Sequence, residues 1–349
     1  SLPFRAEWWY WNATRIMPFA EGEVGAINEF PAFTFLYADL HAHMMALPLT
    51  QVALAIALQW GLNIDHAPAL SKKTWRDYLQ RCIPRPVPTV VLAGLIAGAL
   101  RATNTWDWPT YVALMSVAAW LTFFSKPERK SLPVESVQEE GSEPAEIDSS
   151  SVHTPEPIFP YYKLLTPVVF FLLGELLFLP FTANFEAAYS SFGLWKGSRT
   201  PFGIYLIMHG QFLFPLVVLA VVRGYALVRR LWRDRDEGTL LALGMVILGM
   251  IMLGGVLLLM GVPLAWAVIP LGMAAALLVV DPYSTPHARQ LWMWVGTALA
   301  LSLLVEIYVL DGDIGRMNTV FKFYLQVWML LGLSAAVATE RIIDYALRN

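Results

Sequence analysis

The sequence is poor in charged residues and in cysteine. Aspartate, glutamate, lysine and arginine make up 15% of the 349 residues, and Cys82 is the only cysteine. Soluble domains carry about a quarter charged residues, so this composition argues against a soluble globular protein. A single cysteine excludes an internal disulfide. The net charge of −3 gives no indication of nucleic-acid binding, and no nucleic-acid partner is predicted.

The chain contains long runs of apolar residues. Hydrophobic residues make up 57% of the chain, and the mean hydropathy is +0.52. Residues 240–280 include no charged residue and no His, Asn or Gln, and Gly261-Val262-Pro263 divides them into two stretches of bilayer-spanning length. Hydrocarbon offers the backbone no hydrogen-bond partner, so each such stretch is expected to be helical. The sequence therefore predicts an all-α polytopic integral membrane protein.

A bundle of about nine transmembrane helices is predicted, near 44–62, 87–101, 109–125, 161–183, 202–222, 239–260, 264–280, 290–310 and 321–339. The loops then alternate between the two sides of the membrane. Of the 24 Lys and Arg residues, 17 fall on the side that also holds the C-terminus. Because cytoplasmic loops are enriched in Lys and Arg, that side is predicted to be cytoplasmic.

The spans and loops predict four segments: a loop on the outer, non-cytoplasmic face, 1–43; a three-span segment, 44–125; a disordered cytoplasmic linker, 126–160; and a six-span segment, 161–349. The outer loop should include an interfacial helix, because its tryptophans and Arg15 suit the headgroup boundary. The linker is rich in Glu, Ser and Pro and poor in apolar residues, which is typical of disorder. The chain begins at Ser1 without Met, and we expect it to be part of a longer protein.

Asp39, His41 and His43 stand at alternate positions just before the first span. Alternate side chains of an extended backbone share a face, so the three could converge on one divalent cation, Mg or Mn and less favourably Zn. In a helix they would spread over roughly 200° of arc, which is too wide for a shared ligand. The alternative is a polar helix start with histidines at the membrane interface.

The remaining outer loops combine aromatic residues with carboxylates, amides and cations. Aromatic rings beside hydrogen-bonding groups suit a sugar, and Arg or Lys suits a phosphate. The predicted substrate-binding residues are Trp8, Trp11, Asn12, Glu29, Asn104, Trp106, Arg199, Arg316, Asn318 and Lys322. The alternatives are an ordinary aromatic belt at the interface and cations that extend from span ends toward the headgroups.

Arg316 and Lys322 flank the predicted start of the last span. A helix that begins near Asn318 would point unpaired N–H groups at the outer leaflet, which favours a lipid phosphate there. Asn318 would cap this helix or contact the ligand. The alternative is an ion pair of Arg316 with Asp311 or Asp313.

Glu175 and His209 are predicted to lie inside the membrane, in spans four and five. Ionisable residues in hydrocarbon are costly and should face the bundle interior or water. They could form a proton relay or a structural hydrogen bond between helices.

The chain resembles the YYY family of polytopic membrane proteins, a domain of unknown function from bacteria and archaea. The matching motifs extend over almost the whole chain: WWYWNATRIMP at 8–18, INEFP at 27–31, FLYADLHAH at 35–43, NTWD at 104–107, PFTANF at 180–185 and RMNTVFKFY at 316–324. The family is similar to GT-C membrane glycosyltransferases, which use polyprenyl-phosphate-linked sugars on the outer face. Its tyrosine-rich motif and an acidic loop would precede Ser1, so Asp39 is the remaining candidate for the catalytic carboxylate.

The resemblance implies a glycosyltransferase in the plasma membrane of a bacterium or archaeon, with its active face non-cytoplasmic. Asp39 or Asp107 would deprotonate the acceptor hydroxyl, and a divalent metal would neutralise the leaving phosphate. Its partners would be membrane lipid and the polyprenyl-phosphate donor; no protein partner is identified. The alternatives are a non-catalytic scaffold subunit of a membrane complex and, less favoured, a proton-coupled transporter that uses Glu175 and His209.

Overall fold

The computed structural model describes residues 9–38, 40–62, 86–124, 161–186, 191–234, 237–281 and 283–348. Its helices are α1 Trp9–Asn12, α2 Pro31–Tyr37, α3 Ala42–Gly61, α4 Pro86–Thr103, α5 Trp108–Phe124, α6 Tyr161–Leu177, α7 Leu179–Thr182, α8 Phe202–Asp234, α9 Glu237–Leu259, α10 Ala265–Val280, α11 Pro286–Ile307 and α12 Met317–Arg348. Two short strands, β1 Phe192–Leu194 and β2 Tyr308–Leu310, pair antiparallel. The predicted all-α membrane fold is confirmed.

Each of the nine predicted spans coincides with an apolar helix. Within the described ranges, α3, α8, α9, α11 and α12 are long and apolar enough to cross a membrane, and α4, α5, α6 and α10 are shorter apolar helices. The number of actual crossings stays a prediction. The linker 126–160 and residues 1–8 lie outside the described residues. The short helix α1 falls within the predicted interfacial segment, and its depth in the membrane also stays a prediction.

The helices pack in two groups that meet at α11. Helices α3, α4, α5 and α6 pack on one another, and α8 to α12 form the second group. Helix α11 contacts α3 and α5 and so joins the two. Helix α6 belongs to the predicted six-span segment by sequence, yet it packs against α4 and α5 of the three-span segment.

Glycines allow α4 and α6 to approach at backbone distance. A Cβ added to Gly174 would lie 2.8 Å from the carbonyl oxygen of Gly94 and 3.1 Å from the amide nitrogen of Gly98. Any larger residue would push the helices apart. Small residues at such positions are a common device of helix packing in membranes.

The polar loops meet at one end of the bundle, which we call the loop end. It includes residues 9–38, 40–41, 104–107, 191–200 and 308–316. The Ser198 amide donates to Oε1 of Glu23 at 3.0 Å, and the Gln326 side chain donates to the carbonyl of Trp106 at 3.0 Å. These contacts join segments that are distant in sequence, and they place the predicted outer residues around a common region.

Candidate functional site

A cavity of about 330 Å³ opens at the loop end. This size falls at the lower limit of typical small-ligand pockets. The cavity, which we call the outer cavity, is lined by Trp11, Arg15, Ile27, Glu29, Phe33, Thr34, Tyr37, His41, His43, Asn318 and Phe321. Five of these residues are among the predicted site residues.

Helix α2 shapes the wall of the outer cavity. Pro31 is the first residue of α2. The first N–H groups of a helix have no partner within the helix, so the N–H that proline lacks costs no hydrogen bond there. The helix ends at Tyr37. The next residue, Ala38, has a left-handed φ of 54°, and its N–H donates to the Thr34 carbonyl at 3.2 Å. After this end the chain turns back, so that His43 in the first turn of α3 lies beside Glu29, which precedes α2.

Glu29 and His43 form a buried pair at the base of the cavity. Oε1 of Glu29 lies 3.3 Å from Nε2 of His43 and accepts a hydrogen bond of 2.6 Å from the Thr34 hydroxyl. Glu29 is 8% exposed and His43 is 5% exposed. The ring of Phe321 stands edge-on to His43, with centroids 4.3 Å apart. A carboxylate thus orients an imidazole that also borders the cavity, which is the arrangement of many general bases.

Aromatic rings and one arginine form the opposite wall. The Trp11 ring lies 4.9 Å from that of Tyr37 and 5.7 Å from that of Phe33. The guanidinium of Arg15 lies over Trp11 at 5.1 Å, donates to the Thr14 hydroxyl at 2.7 Å and is exposed. The wall therefore offers ring faces to an apolar surface and a cation at the rim.

The described residues do not form a complete metal site. His41 and His43 both line the outer cavity, with ring centroids 5.4 Å apart, but Asp39 lies outside the described residues. Within the described ranges no group of three or more His, Cys, Asp or Glu is placed to hold a metal ion. Nε2 of His43 also faces Glu29. The described donor set does not fit a divalent cation, so the metal stays a prediction.

Asp107, a predicted catalytic residue, and Asn104, a predicted substrate-binding residue, are not among the residues that line the outer cavity. Both are 5% exposed. The Gln326 side chain of α12 donates a hydrogen bond to the carbonyl of Trp106, and this contact holds the 104–107 turn against α12. Lys322 is close enough for its charge to act on Asp107. These residues form a second, buried polar cluster.

The burial of the Asp107 carboxyl group predicts that the stability of the protein depends on pH. Burial raises the pKa of Asp107 to about 7, against the opposing effect of Asn104, Gln326 and Lys322. The folded protein therefore holds the proton of Asp107 more tightly than the unfolded chain does. The resulting contribution to the free energy of unfolding is fully present below about pH 4, and it is lost as the pH rises through about 7. We expect Asp107→Asn to match the wild-type melting temperature at about pH 4 and to exceed it at about pH 8.

Scanning fluorimetry in detergent measures this difference. Asp344→Asn is the matched control, because Asp344 is an exposed acid that pairs with Arg348. It should leave the pH profile unchanged. Identical pH profiles for wild type and Asp107→Asn would contradict the prediction.

Arg316 lies in a buried ion pair and not at a phosphate site. Its Nη1 lies 2.6 Å from Oε1 of Glu306, and its Nη2 donates to the Thr200 hydroxyl at 3.0 Å. Thr200 donates to the same carboxylate from its hydroxyl at 2.6 Å and from its N–H at 2.9 Å. The Arg316 and Glu306 side chains are 4% and 0% exposed. A lipid phosphate would have to break this pair to reach Arg316.

The start of α12 already holds an anion from its own chain. Asp313 accepts from the N–H groups of Asn318 at 3.1 Å and of Thr319 at 2.8 Å, and from the Asn318 side-chain amide at 2.9 Å. The helix begins at Met317, so Asp313 is its cap and Asn318 is not. Both predicted partners of Arg316, Asp311 and Asp313, are also wrong, because Glu306 takes that place.

Other predicted substrate residues are placed away from the outer cavity. Arg199 donates to the Trp195 carbonyl at 3.1 Å, and burial lowers its pKa from the usual range. Trp106 packs edge-on to Phe192 with centroids 5.2 Å apart. Asn12 is exposed and does not line the cavity. Trp8 lies outside the described residues.

Glu175 and His209 lie in different parts of the bundle. Glu175 sits two residues before the end of α6, not mid-span, and it pairs with Arg101 near the end of α4. His209 lies two turns inside α8, fully buried among the rings of Tyr205, Tyr324 and Trp328. The proton relay stays a prediction. The charged partner of Glu175 in the structure is Arg101 and not His209.

Glu306, Thr34 and Tyr37 were not predicted as site residues. Glu306 was recognisable in the sequence, because it is a lone carboxylate near the end of the apolar run of α11. Thr34 and Tyr37 follow Glu29 within eight residues, yet without the turn at Ala38 nothing in the spacing places them with His43. Arg15 was predicted to lie at the membrane interface, but its position at the rim of the outer cavity was not predicted.

Comparison with curated proteins and with solved structures finds no match to the chain. The family model described as "Uncharacterized membrane protein (DUF2298)" matches residues 2–331. This match covers nearly the whole chain, including every segment that forms the outer cavity, and it agrees with the resemblance that the outer motifs carry. The chain therefore belongs to the DUF2298 family of membrane proteins.

Proposed function

We propose that the protein is a membrane glycosyltransferase whose outer cavity binds the sugar of a polyprenyl-phosphate-linked donor. The observation that carries this proposal is the buried Glu29–His43 pair at the base of a cavity with aromatic walls. A sugar needs ring faces to stack on and acceptors for its hydroxyl groups. A transferase also needs a base beside the acceptor hydroxyl.

In the proposed reaction the bond between the anomeric carbon and the phosphate oxygen breaks. Polyprenyl phosphate leaves with the electron pair, and the acceptor oxygen forms the new bond to the anomeric carbon. The proton of the acceptor hydroxyl passes to the His43 nitrogen that does not face Glu29. Glu29 orients the imidazole and stabilises the positive charge that His43 gains.

Arg15 is the proposed contact of the donor phosphate. Among the described residues it is the arginine that lines the outer cavity, and its guanidinium lies over Trp11 at the rim. Negative charge grows on the phosphate as the bond breaks, so a nearby guanidinium stabilises the transition state. This assignment replaces Arg316, whose charge is already paired with Glu306.

The test uses the purified protein in lipid nanodiscs with a panel of polyprenyl-phosphate hexoses and a panel of hydroxyl-bearing acceptors. Release of polyprenyl phosphate, followed by mass spectrometry, is the expected result for at least one donor. Arg15→Gln should raise the KM for that donor several-fold, because one charge-assisted contact to the phosphate is lost. Arg348→Gln is the matched control, since Arg348 is an exposed arginine at the opposite end of the bundle.

Two results would contradict the proposal. If the wild type neither binds nor cleaves any donor of the panel, the glycosyltransferase assignment fails. If donor cleavage occurs but Arg15→Gln keeps the wild-type KM, the phosphate is held elsewhere and the pose in the outer cavity is wrong.

A further inference from the structure

A second cavity of about 920 Å³ lies at the end of the bundle opposite the loop end. Helices α8 and α12 form it where their C-terminal halves run side by side. We call it the arginine cavity, because its lining includes Arg223, Arg229, Arg230, Arg233 and Arg341. Among the described residues that line it there is no Asp or Glu.

The two helices extend beyond the membrane at this end. Helix α8 has 33 residues and α12 has 32, so each is roughly 50 Å long. The hydrocarbon core is only about 30 Å thick. The arginine cavity therefore falls at the level of the lipid headgroups, on the side that the Lys and Arg distribution predicts to be cytoplasmic.

The arginines of the cavity have acidic, aromatic and basic neighbours within the protein. Asp281 pairs with Arg230 at 2.9 Å, and Tyr283 lies against the same guanidinium at 4.6 Å. Arg341 lies near enough to Arg223 for the two charges to repel, while Glu340 partly offsets this repulsion at Arg341. Several guanidiniums held in one concave site raise the free energy of the empty site, and a polyanion removes this cost.

The walls of the cavity are apolar. Leu219, Val221, Val222 and Ile342 line it together with the arginines. Val221 is 66% exposed and faces the space that lipid chains fill around such a helix. A soluble phosphate compound would gain nothing from this surface, whereas the first carbons of acyl chains would cover it.

We propose that the arginine cavity binds the headgroup of an anionic phospholipid that carries more than one negative charge. The arginines hold its phosphate groups, and the apolar wall receives the upper part of its chains. This site is separate from the outer cavity and independent of the proposed glycosyltransferase activity.

The experiment measures lipid binding by native mass spectrometry of the purified protein released from micelles. Phosphatidic acid and cardiolipin are compared with phosphatidylcholine, and inorganic pyrophosphate is added as the soluble competitor. The wild type should retain the anionic lipids preferentially. The triple variant R223Q/R229Q/R341Q should lose about fivefold in affinity for each arginine removed, as expected for juxtamembrane cations.

Two further variants separate charge from folding. R223K/R229K/R341K keeps the charge and should retain most of the lipid binding, while R348Q removes an arginine of α12 outside the cavity and should bind like the wild type. Equal retention of phosphatidylcholine and anionic lipids would overturn the proposal. So would tight binding of pyrophosphate together with no lipid preference, because the site would then serve a soluble phosphate.

Discussion

Replacing Arg316 by methionine is expected to destabilise the protein by about 3–5 kcal/mol, the usual cost of leaving one partner of a buried ion pair without the other. Glu306 is fully buried, and its carboxylate would keep only the two hydrogen bonds from Thr200. The Val305 carbonyl would also lose its donor, which now lies 3.0 Å away. Unfolding in mixed detergent micelles measures the loss.

The matched control is Arg348→Met. Arg348 pairs with Asp344 at 3.0 Å, but the two side chains are 78% and 54% exposed. An exposed pair contributes at most about 1 kcal/mol. Arg316→Met/Glu306→Leu should recover much of the stability, because no charge is left buried. A single Arg316→Met variant as stable as Arg348→Met would contradict the predicted cost of breaking the buried pair.

Loss of the His43 base is expected to lower the rate of sugar transfer by about 10²–10⁴-fold, the range that general-base catalysis contributes. This prediction rests on the proposed function. His43→Asn removes the proton acceptor, and Glu29→Gln removes the charge that stabilises the protonated imidazole. We expect both to lower kcat with little change in the KM for the donor, because neither residue is the proposed phosphate contact.

His287→Asn is the control for the histidine change. His287 is exposed at the start of α11, at the end opposite the outer cavity, and its replacement should leave kcat unchanged. The split between kcat and KM adds a readout that a purely structural role would not give, because a disordered site would also weaken donor binding. A full wild-type kcat in His43→Asn would exclude His43 as the base.

The membrane class and the places of the apolar helices were predictable from local sequence. A run of apolar residues either reaches the thickness of a bilayer or does not, and this depends on no other part of the chain. The run at 240–280 and its Gly261-Val262-Pro263 break lead directly to α9 and α10. The family followed from long outer motifs, which are contiguous in sequence.

The partners of the polar side chains were not predictable in the same way. Arg316 has three carboxylates within about ten residues, and spacing favoured Asp311 and Asp313 over Glu306. Asp313 is taken by the N–H groups at the start of α12, and Glu306 is the carboxylate that faces Arg316. Which carboxylate an arginine meets depends on where two elements turn and face each other, and sequence distance does not measure this.

The outer cavity shows the same division between sequence and tertiary structure. Sequence alone indicated that Trp11, Glu29, His41 and His43 lie on one side of a membrane, because hydropathy and charge sort residues by side. Only the tertiary structure brings His43 to Glu29, because the left-handed turn at Ala38 reverses the chain between α2 and α3. Burial of polar groups requires specific hydrogen-bond partners, and those partners come from whichever segments the packed helices leave adjacent.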